Sequence, residues 1–69
     1  MSQLFRRTVG QNVRSIRLRL ALTQEELAEK AGLHWTYVSG VERGRYNISL
    51  DSLVKLSKAL GIKPFELLK

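Results

Sequence analysis

The chain has no cysteine, and it has only one histidine and one proline among its 69 residues. Without cysteine it forms neither a disulfide nor a thiolate metal site, and small secreted domains commonly depend on disulfides. The single histidine, His34, has no second histidine or cysteine to complete a zinc coordination sphere. These absences predict a domain of the reducing cytoplasm that binds no metal and no other cofactor.

Long apolar runs and catalytic motifs are also missing. No stretch approaches the roughly 18 apolar residues of a membrane span, and the first residues lack the apolar segment of a signal peptide. There is no glycine-rich phosphate loop, and most of the six acidic residues are expected to serve caps and ion pairs. We therefore expect no membrane contact, no enzymatic activity and no small-molecule ligand.

Positive charge, in contrast, is abundant. Twelve Lys and Arg against six Asp and Glu give a formal net charge of +6. Such an excess in so small a domain favours an anionic partner, with nucleic acid ahead of a membrane surface. The hydrophobic share of 43% suffices for one small core. We expect residues 1–69 to form a single domain, with a second chain supplying part of its stability.

Glycines and capping signals divide the sequence into five predicted helices. On the first helix, apolar residues three or four apart form one core-facing stripe of Phe5, Val9, Val13, Ile16 and Leu20. Gly10 lies within this helix, where glycine is unfavourable, and is expected to let its first turns fray.

The second and third helices form a closely spaced pair. Thr23 followed by Glu26 is a capping box at the start of the second helix, and Gly32 ends that helix. The third helix must begin within two or three residues of Gly32, because Gly44 already supplies its stop. Two helices joined by a tight turn containing glycine are the helix-turn-helix arrangement.

Two further helices complete the chain. Ser49 caps the fourth, whose core-facing residues are expected to be Leu50, Leu53, Val54 and Leu60. Pro64 begins a final short helix that contains Phe65, Leu67 and Leu68. No strand alternation or repeat is visible, so the chain is predicted to be an all-α, compact five-helix bundle.

The order of residues in the helical pair resembles the Xre/Cro-type helix-turn-helix family. The segment TQEELAEKAG at 23–32, followed by VERG at 41–44, carries this resemblance, which extends from about Val9 to Leu68. Within the family, TYVSGVERGRYNISL at 36–50 is most similar to the controller proteins of restriction–modification systems. The resemblance implies a lambda repressor-like fold whose recognition helix, about 35–43, lies in the major groove of double-stranded DNA.

A helix that enters a groove roughly 12 Å wide needs short side chains on its outer face. Thr36, Ser39 and Gly40 meet this requirement and are predicted to contact bases, with close packing against another helix as the alternative for Gly40. Trp35 departs from the family pattern and either stacks on a thymine methyl group or sugar, or folds back on the protein. Tyr37 either points its hydroxyl at the DNA or is a half-buried surface tyrosine.

Phosphate contacts are expected around this helix. By resemblance, Gln24 at the start of the second helix anchors to the DNA backbone, where free helix amides also attract anions. His34 is either a solvated cap of the third helix or a DNA contact. The residues that follow the recognition helix and are predicted to reach phosphates are Arg43, Arg45, Tyr46 and Asn47.

The resemblance also assigns a structural role. Arg17 and Glu42 match a family ion pair that ties the first helix to the end of the third. Arg17 is therefore not expected to contact DNA.

A homodimer is expected because one helix reads only about four or five base pairs, too few among roughly 10⁶ competing sites. Repressor-type relatives bind as two-fold dimers. The predicted interface consists of Leu56, which falls off the expected stripe of the fourth helix, and of Ile62, Phe65, Leu67 and Leu68. Alternatively, these side chains close the bottom of a monomer.

The sequence thus predicts a sequence-specific transcriptional regulator of bacterial or phage origin, and by resemblance an autoregulatory controller of a restriction–modification operon. A prophage-type repressor or an autoregulating antitoxin is the alternative, although an antitoxin would need a toxin-binding segment. A helical protein-interaction module without DNA readout is the alternative from another class, and it would lack the steep salt dependence of DNA binding.

Overall fold

The computed structural model describes residues 3–69, which are entirely helical with connecting turns. Four α-helices and one 3-10 helix follow in the order α1 (Gln3–Arg19), α2 (Gln24–Ala31), α3 (Trp35–Glu42), α4 (Leu50–Leu60) and the 3-10 helix Pro64–Leu67. The all-α prediction is confirmed. The expected fifth helix is only this single tight turn, which ends before Leu68, because four residues are too few for a regular i to i+4 ladder.

The capping signals fix the ends of the helices as predicted. The Glu26 N–H donates to the Thr23 hydroxyl at 3.0 Å, and the Thr23 N–H donates to the Glu26 carboxylate at 2.8 Å. Gly32 ends α2 with a φ of +69°, a left-handed conformation that favours glycine. At the start of α4, the Ser49 hydroxyl accepts from the Ser52 N–H at 3.1 Å.

A single core joins these elements. Every α-helix and the 3-10 helix contribute fully buried side chains, and the largest hydrophobic ones are Leu27, Leu56, Leu67, Val9, Val13, Val38 and Val41. The 3-10 helix packs against α1 and α4. The Asn12 side chain holds it there by donating to the backbone carbonyl of Leu67 at 3.0 Å.

Three positions of α4 differ from the predicted core stripe, and the first, Val54, is only half-buried and lies outside the core cluster. Leu56, expected off the stripe, is 0% exposed, whereas Leu50, expected in the core, is 74% exposed. Leu56 follows Leu53 by three residues and precedes Leu60 by four, so all three share one helix face. Leu50 lies in the first turn, where a side chain leans back toward the helix N-terminus and away from that face.

Gly10 lies at the crossing of α1 and α3, and α1 is continuous through it. A Cβ atom there would overlap the backbone carbonyl oxygens of Val41 and Glu42. The glycine therefore permits a close approach between the two helices. Leu20, by contrast, lies beyond the end of α1 and is half-exposed, contrary to its expected place in the core.

We expect Gly10→Ala to destabilise the protein by about 1–3 kcal/mol, although the same change in an open helix would stabilise it by up to about 1 kcal/mol. The backbone of α3 must shift, because the atoms in the way are carbonyl oxygens that have no alternative rotamer. Urea unfolding followed by circular dichroism measures the difference, with the exposed neighbour Gln11→Ala as the control. A Gly10→Ala protein as stable as the Gln11→Ala control would show that the crossing is looser.

Candidate nucleic-acid interface

Helices α2 and α3 are joined by a turn of residues 32–34. The Leu33 N–H donates to the carbonyl of Ala28 at 2.9 Å and so closes the end of α2. His34, with extended backbone, then begins α3 by accepting from the Thr36 N–H. This short and fully capped connection fixes α3 against α2, the arrangement a helix-turn-helix requires.

One side of α3 faces the core and the opposite side is open. Val38 and Val41 are 0% and 2% exposed. Thr36 and Arg43 are exposed and Ser39 is half-exposed, at spacings of three and four residues along the other side. We call Thr36, Ser39 and Arg43 the outer ridge. It carries short polar side chains and ends in a guanidinium, so the helix backbone has room to approach a groove.

Gly40 does not belong to this ridge, and its predicted contact with bases is wrong. Gly40 is buried, and a Cβ atom on it would overlap the ring of Tyr46 from the following loop. The Tyr46 ring is also stacked on the Tyr37 ring, with centroids 5.5 Å apart and an interplanar angle of 6°. The alternative interpretation, close packing, therefore holds, with a tyrosine ring as the partner instead of a helix.

Trp35 lies at the first turn of α3 and is 48% exposed, outside the core. Its ring stands 6.4 Å from the His34 ring at an interplanar angle of 26°. Neither ring is enclosed by the bundle, so the indole face is available to a partner that approaches the outer ridge.

We expect Trp35→Ala to leave the free energy of unfolding within about 1 kcal/mol of the original protein, because the side chain is half-exposed and outside the core. Binding to a selected DNA duplex should weaken about tenfold through loss of an aromatic or methyl contact. Thermal unfolding measures the stability, and titration of a fluorescently labelled duplex measures the DNA affinity. Leu18→Ala, similarly exposed on α1, is the control. A lower melting temperature with unchanged DNA affinity would show that Trp35 supports the fold and does not contact DNA.

A buried charge network ties α1 to α3. The Arg17 guanidinium donates through Nε and Nη2 to the two Glu42 carboxylate oxygens at 2.6 and 2.9 Å. Its Nη1 donates to the carbonyl of Leu22 at 2.8 Å. The hydrogen bond to Glu42 raises the pKa of Arg17 above its ordinary value, and burial acts in the opposite direction. The predicted ion pair is therefore present, and it occupies the Arg17 side chain.

Gln24 joins the same network. Its side-chain amide donates to a Glu42 carboxylate oxygen at 3.1 Å. One of its two amide hydrogens is thus engaged within the protein. The donors that Gln24 still has for a phosphate are the second amide hydrogen and the backbone N–H at the start of α2.

Arginines gather beside the loop that follows α3, and sequence reasoning had left two of them out. Arg43 and Arg45 are exposed, as expected of phosphate contacts. The first turns of α1 add Arg6, whose Nη1 donates to the Asn47 side-chain oxygen at 3.4 Å, and Arg7, which lies against Gly44. The Arg6 Nε is buried and has no hydrogen-bond partner among residues 3–69. We call these four the arginine cluster, and only the folded chain brings them together.

The predicted dimer residues divide into two groups. Leu56 and Leu67 are fully buried in the single chain, so their assignment to a subunit interface is wrong. Phe65 and Leu68 are 54% and 40% exposed, and Ile62 is half-buried beside the core. Phe65 also lies under the Lys69 ammonium, 5.6 Å from the ring centroid. An apolar surface at the C-terminal end therefore remains, smaller than the one predicted.

Residues 3–69 have no cluster of three side chains suited to a metal ion, and no cavity. None of its helices combines the length and apolarity that crossing a membrane requires.

Comparison with known proteins yields consistent matches. The sequence pattern of the helix-turn-helix family matches residues 13–67. The control protein C.BamHI of Bacillus amyloliquefaciens is 49% identical over 69 residues, which are 99% of this chain and 85% of that protein. The immunity repressor protein of Bacillus phage phi105 is 50% identical over 81% of this chain, but that match covers only 39% of the repressor.

The fold also matches a solved structure. The restriction-modification controller protein C.AhdI from Aeromonas hydrophila superposes with a TM-score of 0.87 at 47% identity, over 90% of this chain and 94% of that one.

Proposed function

Because this chain belongs to the helix-turn-helix family, we propose that it is a sequence-specific DNA-binding transcriptional regulator that catalyses no reaction. The observation that supports this most is the outer ridge, held on a capped helix and flanked by the arginine cluster. Thr36 and Ser39 face the bases of a major groove, while Arg43 at the end of the ridge and the other arginines of the cluster contact phosphates. The protein acts in the cytoplasm of a bacterium, where its DNA target lies.

The regulator is of the restriction–modification controller type. C.BamHI and C.AhdI are named as control and controller proteins, and this chain covers 85% and 94% of them. The phage immunity repressor supports the second candidate, a prophage-type repressor, but this chain corresponds to less than half of its length. We propose that this chain regulates through its own concentration, including at the promoter of its own operon.

We assign the working form as a homodimer on a two-fold operator, joined through the apolar surface of Ile62, Phe65 and Leu68. Two copies place two recognition helices on half-sites about one DNA turn apart. Sedimentation should show a dimer at micromolar concentration, and Phe65→Asp should convert it to a folded monomer. A protein that stays monomeric at high micromolar concentration, with and without DNA, would remove this part of the proposal.

Selection of bound sequences from random duplex DNA tests the function, followed by binding measurements over a range of salt. We expect a palindromic site. A dimer that neutralises about six phosphates should lose roughly 10³-fold in affinity between 50 and 200 mM salt. A protein-interaction module would select no sequence and show no such dependence, and that outcome would overturn the proposal.

A further inference from the structure

At the start of α3, hydrogen bonds join the His34 ring to Thr36, and they play no part in the function proposed above. The Nδ1 atom of His34 lies 3.2 Å from the backbone nitrogen of Thr36 and 2.7 Å from its hydroxyl oxygen. Both residues are exposed, and Thr36 belongs to the outer ridge. The Trp35 ring flanks the imidazole.

The backbone contact decides which atom carries each proton. A backbone N–H only donates, so Nδ1 must offer its lone pair and the imidazole proton must lie on Nε2. With Nδ1 as the acceptor, the hydroxyl at 2.7 Å can only donate its own proton to the ring. The Thr36 hydroxyl is therefore left with lone pairs alone to present to a partner.

A hydroxyl of fixed polarity distinguishes between bases. In the major groove adenine offers its N6 amine and cytosine its N4 amine, whereas guanine O6 and thymine O4 are acceptors. An acceptor-only Thr36 bonds an amine and repels a carbonyl oxygen. A freely rotating hydroxyl would form a hydrogen bond with either kind of base, as an acceptor from an amine or as a donor to a carbonyl oxygen.

We propose that His34 is a positioning residue, which holds the Thr36 hydroxyl as an acceptor and so makes position 36 select a base with a major-groove amino group. The inference rests on the proposed DNA-binding function. It gives His34 a role in specificity, where the sequence left it either a solvated cap of the third helix or a DNA contact.

The test begins with the operator selected from random DNA and the variant Thr36→Val, which removes the hydroxyl at nearly constant shape. The base position at which this variant loses selectivity is the one that Thr36 reads. At that position the base that carries the amino group is then exchanged for its carbonyl counterpart, guanine in place of adenine or thymine in place of cytosine, and the ratio of the two dissociation constants is measured. A single hydrogen bond predicts a ratio of about fivefold for the original protein.

Two substitutions of His34 separate polarity from helix capping. In His34→Ala the hydroxyl is free to rotate and can donate to a carbonyl as readily as it accepts from an amine, so the ratio should fall to within about twofold of unity. In His34→Asn a neutral side-chain oxygen again accepts from the Thr36 N–H and hydroxyl, and the ratio should return to about fivefold. Because each ratio compares two duplexes with the same protein, a general loss of stability or affinity cancels.

Three results would overturn the inference: no base position at which Thr36→Val loses selectivity, a preference for guanine or thymine there, or an unchanged ratio in His34→Ala. Each of these leaves salt-dependent binding to the operator intact. If the original protein binds no duplex at all, it is the proposed function that fails, and the inference fails with it.

Discussion

Glu42→Ala should lower the free energy of unfolding by about 3–5 kcal/mol, enough to leave most of this small domain unfolded at 37 °C. The Glu42 and Arg17 side chains are only 3% and 9% exposed. Removing the carboxylate leaves the buried guanidinium without its ion-pair partner, with the Leu22 carbonyl as its remaining hydrogen-bond acceptor, and it also removes the acceptor of the Gln24 amide.

Chemical denaturation at several temperatures measures this loss. The matched control is the double variant Arg17→Met/Glu42→Leu, which replaces the charges by apolar side chains of similar size. It should recover most of the stability, because the large cost belongs to an unpaired buried charge and not to the absence of the pair. If the free energy of unfolding of the Glu42→Ala protein lies within about 1 kcal/mol of the original value, water reaches Arg17 freely and the pair is not buried.

The double variant Thr36→Glu/Ser39→Glu should lose at least 100-fold in affinity for the selected operator. Placing two carboxylates per subunit against DNA phosphates sets like charges together, which costs several kcal/mol. Both side chains lie on the open side of α3, exposed and half-exposed respectively, so the free energy of unfolding should change by less than about 1 kcal/mol.

A control with the same charge change distinguishes local repulsion from a general loss of positive charge. Lys55→Gln/Lys58→Gln removes two charges from exposed positions of α4, which lies outside the helix-turn-helix. Its affinity should fall several-fold at most. If both double variants bind the operator equally well, α3 does not enter the groove.

The parts of the fold that sequence could predict are the parts set by local chemistry. Thr23 with Glu26, and Gly32, fix the ends of α2 through bonds between residues close in the chain. The same locality makes the short turn before α3 predictable. The Arg17–Glu42 pair spans 25 residues, and only the family resemblance indicated it.

The parts that sequence did not predict depend on contacts between distant segments. Gly40 was ambiguous because its covering group, the Tyr46 ring, comes from a loop whose path no local signal specifies. Arg6 joined the arginine cluster only because the first turns of α1 lie beside Asn47 in the loop that follows α3. Leu56 was misassigned because the hydrophobic pattern of α4 allows two neighbouring stripes, and packing against α2 and the 3-10 helix selects one.

Whether α3 enters the groove can be measured by titrating the uniformly ¹⁵N-labelled protein with the selected duplex and mapping the changes in amide chemical shift. We expect the largest changes from His34 to Asn47, with further changes at Gln24, Arg6 and Arg7. Changes along the buried stripe of α4 should be small. Changes confined to α4 and the C-terminal turn, with Thr36 and Ser39 unmoved on a duplex that is fully bound, would contradict the entry of α3 into the groove.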